Sequence, residues 1–422
     1  MTQPELPLAR NDSAVRLHSL RSRQDGQEWI IGRAETGTFI AIPQIGMQVI
    51  EGIQHGRPLD DIRQDIESRS EQSVDVVAFV NQLVDLGFVA AVDDHDVGQP
   101  PPQKPSLPWL RPRHVRWTLS PILAALMATV VIASLGVIAW DPGVFPSYRE
   151  MFWTDHESLI LLSQALVAWA LILVHEMGHL ATARAADVPA HIRLGTRLQF
   201  LVAQTDVSGI WTAPRRHRFT VYGAGMAIDL TIASLAILAI KTLQVMGIDA
   251  PSALPIIVLM ISSMLPLQFL VFMRTDVYFL LQDLARCRNL YADGSAYVRD
   301  VAARLTRRRG ESGSPAILRL PRHEQVAVRC YAVLLVLGTS VCLLVVSAIT
   351  IPTYIRLIAD SIHTFLVTES MGAAAEAAVV ILIVAGFQVV WISAWWRRHG
   401  ERVRQWFRRT GPHTRMTRTS PS

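Results

Sequence analysis

The residues best suited to chemistry lie in one stretch, Leu171–Arg184, which reads LILVHEMGHLATAR. It carries His175, Glu176 and His179 in a His-Glu-x-x-His pattern at the end of an apolar run. On a helix, residues four apart share a face, so both histidines can point at one metal ion. Imidazole is a good zinc ligand, and Glu176 is placed beside the pair to take a proton from water on the metal. A pattern with three fixed positions does occur by chance on ordinary helices. Three ionisable groups beside hydrocarbon are costly, however, and such groups are usually functional. A zinc site is therefore expected.

Two histidines need at least one further ligand. The extended pattern with a glycine and a third histidine fails, because Thr182 and Ala185 occupy those positions. The remaining candidates are His191, His217, Asp206, Asp229, Asp276 and Asp283. Asp276, in VFMRTDVYFLLQDL, follows an apolar run by a few residues and is the best placed, with Asp283 as the alternative. A carboxylate completing a two-histidine site leaves a fourth position open. Asp229, in GAGMAIDL, is ionisable and lies within an apolar run. It either hydrogen-bonds a ligand histidine or is a structural carboxylate. Gly223, Gly225 and Ala227 read as close-packing positions. Thr205 and Asp206, ahead of Gly209, read as turn residues, and His191 and His217 as surface histidines.

The elements that must carry these groups are largely apolar. Half of the 422 residues are hydrophobic and 18% are charged, with mean hydropathy +0.29. That balance excludes a wholly soluble chain and a wholly embedded one, so a membrane part and a soluble part are expected. Six apolar runs are long enough to span a bilayer, near Leu119–Trp140, Ser158–Ala183, Phe219–Val245, Leu254–Met273, Val326–Ile349 and Ala373–Trp396. The basic residues cluster in alternate loops. Arg111, Arg113 and Arg116 precede the first run, Arg184 to Arg218 follow the second, residues 274–325 are arginine-rich, and so is the tail. The intervening loops are nearly bare, so both termini are expected in the cytoplasm. The net charge of +5 then reflects topology rather than nucleic-acid binding. About 17 residues separate Ser158 from His175, roughly 25 Å of helix, which puts the histidines deep in the second span towards its cytoplasmic end. Cys287, Cys330 and Cys342 make no disulfide framework. The polar stretch Met1–Arg16 has no apolar core of a cleaved signal.

The soluble part, residues 1–93, reads as a small α+β domain of winged-helix-like pattern. Strands are expected at Val15–Arg21, Gln27–Arg33 and Gly37–Ile42. Amphipathic helices follow near Ile45–Gln54, Leu59–Arg69 and Val74–Leu86, then a C-cap at Gly87 and a strand at Phe88–Val92. Residues 94–115 form a Pro-rich linker. Next come a membrane core at 116–290, a basic loop at 291–325, two C-terminal spans at 326–397 and a basic tail at 398–422. Between Ala190 and Val207, apolar residues alternate with arginines, which suits a β-hairpin at the membrane surface. The fold class is thus mainly α: a polytopic membrane protein of about six helices behind a small α+β domain.

Two resemblances add to this reading. ETGTFIAIPQIGMQVIEGIQHGRPLDDI followed by FVNQLVDLGFV resembles a PqqD-like domain. In that family the leader segment of a ribosomally made, modified peptide adds as a strand to a sheet edge. A generic winged helix binding nucleic acid or protein is the alternative, but Val74–Leu86 carries Asp75 and Asp85 and no basic residue, against DNA recognition. HEMGH with a downstream aspartate is similar to the site-2 protease family of intramembrane zinc peptidases. The resemblance implies His175, His179 and Asp276 as ligands and Glu176 as general base. It departs from that family's Leu-Asp-Gly motif at Thr275 and Val277 and is nearer the branch found with PqqD-like domains. It implies a zinc endopeptidase of the bacterial inner membrane, cleaving a leader-bearing peptide or a membrane-anchored protein, with a transporter or adaptor as partner. The competing readings are a non-cleaving peptide-binding or export component and a membrane-tethered DNA-binding protein.

Overall fold

A computed structural model describes residues 9–410 apart from 27, 34–35, 71–72, 94, 98–104, 198–199, 288, 306–316, 318–319 and 369. Pro100, Pro101 and Pro102 of the Pro-rich linker, the arginine run 307–309, the hairpin tip and the tail beyond 410 therefore lie outside the described residues. The chain divides into two units. One comprises residues 1–140, 173–192 and 205–235, and the other residues 141–172, 193–204 and 236–422.

The first unit opens with strands β1 (Val15–Leu17), β2 (Arg21–Asp25), β3 (Glu28–Arg33) and β4 (Thr38–Pro43). Helices α1 (Gln44–Gln54), α2 (Leu59–Ser70) and α3 (Val76–Asp85) and strands β5 (Val89–Val92) and β6 (His95–Asp96) follow. The strands form two antiparallel sheets, ordered β1-β5-β6 and β2-β3-β4. The strand expected across Val15–Arg21 is in fact two strands in different sheets. A register shift at Arg16/Leu17 and a bond from His18 N–H to the Phe88 carbonyl carry the chain out of the first sheet before β2 begins. The helical periodicity is as expected: Val49, Ile50, Ile53, Leu59, Ile62, Ile66, Val76, Val80 and Leu83 all enter one core with Ile31, Ile42 and Phe88. Asp75 caps α3 by accepting from Ala78 N–H at 2.8 Å. Gly87, at φ 70°, ends it where a side chain would be strained.

Among the described residues five helices are long and apolar enough to cross a membrane: Pro121–Trp140, Glu157–Ala185, Arg215–Val245, Arg322–Val367 and Met371–Arg397. We call Pro112–Val115 α4, Pro121–Trp140 α5, Glu157–Ala185 α6 and Arg215–Val245 α7. Along α5 the apolar side chains face outward and Ser134 is buried, sharing a 2.8 Å hydroxyl bond with Ser234 of α7. Apolar-out, hydroxyl-in is how helices pack in lipid, where carbon surface gains nothing by turning inward.

Two expected spans differ. Leu254–Met273 is α8 (Ala253–Met264), followed by short 3-10 turns at Leu265–Phe269 and Val271–Met273. Pro266 cannot donate to a helical ladder and sits where the regular helix stops, so the run is a broken helix rather than a sixth long one. The run beginning near Val326 does not end at Ile349. It continues from α11 (Arg322–Val345) through a π turn at Val346–Thr350 into α12 (Ile351–Val367), where a bare loop was expected. Pro352 opens α12, and the π turn just before it accommodates the missing N–H. The second unit also holds α9 (Asp276–Leu284), α10 (Leu290–Leu305) and α13 (Met371–Thr410), and α7's Lys241 is paired with Asp141 at 2.6 Å. The expected hairpin is present as β7 (His191–Arg197) and β8 (Phe200–Asp206), paired with each other.

Candidate metal centre

The last turns of α6 bury His175, Glu176 and His179, each less than a tenth exposed. His175 donates from Nδ1 to Asp229 Oδ2 on α7 at 2.7 Å. His179 Nδ1 lies 2.7 Å from the Val221 carbonyl oxygen, also on α7. A carbonyl oxygen can only accept, so the proton of His179 sits on Nδ1. With both Nδ1 atoms acting as donors, the Nε2 atom of each ring is the one that can ligate, and the two Nε2 atoms lie 3.2 Å apart. Two nitrogens on one tetrahedral zinc, each at about 2.05 Å, would be about 3.3 Å apart. The pair thus fits a zinc ion by tautomer and by spacing.

The close approach of α6 and α7 depends on two glycines. A Cβ on Gly178 would run into Ile228 and approach the Ala224 backbone. A Cβ on Gly225 would overlap the His175 ring itself. Gly225 is therefore the space that His175 occupies, and Gly223, with nothing within 4 Å of its Cβ position, is not a packing site. Gly225 and Asp229 are four apart on α7, so one face of that helix supplies both the gap for the imidazole and its acceptor. The contact with His175 is the one that the first of the two roles expected for Asp229 requires.

Glu176 has a partner that the sequence did not indicate. Thr205, in strand β8 rather than a turn, donates its hydroxyl to Glu176 Oε2 at 2.6 Å and lies 3.2 Å from the Glu176 carbonyl oxygen. One hydroxyl proton serves one acceptor, and the shorter contact goes to the carboxylate. Asp206 accepts from the N–H and hydroxyl of Ser208, so this neighbour does behave as a turn residue.

Asp276 is the first residue of α9, and its backbone N–H donates to Gln268 Oε1 at 3.3 Å. Thr275 donates to the Gln268 carbonyl at 2.5 Å, and Arg274, in left-handed backbone at φ 58°, lies over the Phe279 and Tyr291 rings. Thr275, in extended backbone, leads into the first turn of α9. Asp276 and Asp283 both lie in the second unit, Asp276 opening α9 and Asp283 buried near its other end. His191 lies in β7 and His217 in the first turn of α7. Searches against protein-family profiles, curated proteins and solved structures find no match to the chain.

Proposed function

We propose that the chain is a membrane-embedded zinc endopeptidase. The observation that carries this is the facing pair of His175 and His179 Nε2 atoms at 3.2 Å, with both Nδ1 atoms already committed. Asp276 is the third ligand in this reading, on the similarity of HEMGH with a downstream aspartate to the site-2 protease family. Three protein ligands leave one position for water or substrate, the pattern of catalytic rather than structural zinc. When bound, zinc would polarise a peptide carbonyl and make water acidic enough to react near neutral pH.

The chain's own residues then have distinct tasks. Asp229 fixes the orientation of the His175 ring by accepting from Nδ1, and the Val221 carbonyl does the same for His179. Glu176 accepts a proton on its carboxylate and returns it to the departing amine. The N-terminal domain captures a peptide or protein, and its resemblance to leader-binding domains points to maturation or export of a ribosomally made, modified peptide. Arginine-rich loops at 184–218 and 274–325 support a cytoplasmic site in a bacterial inner membrane, with both termini on that side. Full-length protein in detergent should contain one zinc per chain. His175→Ala should lose it, while Glu176→Gln should keep it and abolish cleavage. If Glu176→Gln still cleaves, the proposed base is wrong. If the native chain carries no zinc, the whole reading falls and a binding or export role replaces it.

A further inference from the structure

The N-terminal domain touches the segments on either side of the candidate site, all within the first unit. Two arginines on one face of the edge strand β2 make the ties. Arg21 donates to both the carbonyl and the carboxylate of Asp187, at 2.8 and 3.1 Å. Arg23 donates to the carbonyl of Ala213. Asp187 lies two residues past the end of α6, the helix that carries Glu176, and stands in left-handed backbone at φ 59°. Ala213 ends the short turn Ser208–Thr212, which continues directly from the strand carrying Thr205.

That turn is held from several sides. Gly209 lies where a Cβ would come within 3.0 Å of Val188 and 3.7 Å of Phe39 of β4. A Cβ on Gly37 would meet Ser208 at 3.6 Å. Arg218 of α7 lies over the Trp211 ring, 5.5 Å from its centroid. From Ser208 to Ala213 the chain is thus clamped between the β2-β3-β4 sheet and the start of α7. Thr205, three residues before the clamped segment, donates to the Glu176 carboxylate.

We propose that Thr205 is the positioning residue for Glu176, and that the N-terminal domain sets its placement through Arg23, which holds Ala213, and Arg21, which holds Asp187 just beyond the end of α6. This rests on the zinc peptidase reading for its consequence but not for its geometry. A carboxylate held at one oxygen by a hydroxyl presents its other oxygen in a fixed direction, which is what a general base needs. Letting go of β2 frees the segment, and with it the Thr205 hydroxyl, so the soluble domain can slow the reaction without contacting the metal ligands.

The test uses full-length protein in detergent, with casein carrying self-quenching fluorophores as the cleavage probe. Thr205→Val removes the hydroxyl and keeps the shape. It should lower kcat about tenfold, with KM and zinc content unchanged, and Thr205→Ser should recover most of the rate. Arg21→Ala with Arg23→Ala should give a similar loss that adds nothing further in a Thr205→Val background. Amide exchange supplies a readout independent of activity. Ile210 and Ala213 donate to the Val207 and Ile210 carbonyls, and losing both arginines should speed their exchange about fivefold while leaving Leu180 unchanged. Should the arginine pair unfold the N-terminal domain, seen as exchange at Val80, Asp187→Asn tests the same grip from the other side. A Thr205→Val enzyme with native kcat, or one that loses zinc, overturns the positioning role. Unchanged exchange at 210 and 213 overturns the grip. No cleavage by the native chain sinks the peptidase reading instead, and with it the consequence assigned to Thr205.

Discussion

Replacing Asp229 by asparagine isolates the charge behind His175. The native contact is a buried, 2.7 Å bond from Nδ1 to a carboxylate oxygen. Hydrogen bonds to charged groups contribute about 1.5–3 kcal/mol, against about 0.5–1.5 for neutral pairs. Asparagine keeps an oxygen that can accept from Nδ1, so the tautomer and the ring position survive and only the charge-assisted part is lost. The difference is about 1.4 kcal/mol, or about tenfold in zinc affinity, within the range of about 10–100-fold seen when groups behind metal ligands are changed. The assay is competition for zinc against a chelator of known affinity, on purified full-length protein. Asp229→Leu, which removes the acceptor altogether, should weaken binding further than Asp229→Asn. Ser234→Ala, on the same helix and away from the histidines, should leave affinity unchanged. Native zinc affinity in Asp229→Asn and Asp229→Leu alike would refute the role given to Asp229 and weaken the case for His175 as a ligand.

Other outcomes follow from the same geometry. Gly225→Ala puts a methyl group into the His175 ring and should cost far more zinc affinity than Gly223→Ala, whose Cβ position is open; equal effects, by chelator competition, would contradict the packing described. Ser134→Ala should cost about 1 kcal/mol by leaving the Ser234 hydroxyl without its partner, while Ser134→Ala with Ser234→Ala should cost less than two single changes, read from denaturation of the full chain. Asp93 accepts from the Ser13 hydroxyl and the Ala14 N–H, and these bonds hold its carboxyl below the usual carboxylate range. A lowered folded-state pKa gives stability that is present above the unfolded value, near 4, and is lost as pH falls through the folded value. Asp93→Asn should therefore lower the melting temperature of the N-terminal domain at pH 7, with the gap to native protein closing in strong acid; a gap that widens on acidification would reverse the sign.

The N-terminal core was legible because its helices are short and each apolar face points one way. The positions predicted for α1, α2 and α3 enter the core as a set. The facing pair of histidines was legible because one helix carries both at a fixed spacing. The strand break at His18 was not, since an alternating pattern does not record which sheet a residue joins. The interrupted run near Pro266 and the helix continuing past Pro352 show the limit of reading spans from hydropathy alone. Each proline interrupts the backbone ladder without changing the apolar count.

The Thr205 contact, and the imidazole ring that fills the space at Gly225, were illegible for a deeper reason, although Gly225 was read as a close-packing position. Thr205 and Gly225 each act on a residue of α6 from an element that meets it only after folding: Thr205 from a strand 29 positions on, and Gly225 from the facing helix. Gly225 had a usable signal nonetheless. A glycine four residues before an intramembrane aspartate puts a gap and an acceptor on one helical face, and a facing helix with two histidines four apart needs both. Read together, His-x-x-x-His on one span and Gly-x-x-x-Asp on the next describe the two halves of one site. Thr205 offers no such spacing, because a strand and a helix share no common period. Its role depends on where the neighbouring residues 208–213 and Asp187 are held, by Arg23 and Arg21 respectively, both far earlier in the chain. A base whose placement is set from so far away can be regulated without changing any metal ligand, and for that reason the loss in Arg21→Ala with Arg23→Ala should vanish once Thr205 is already valine.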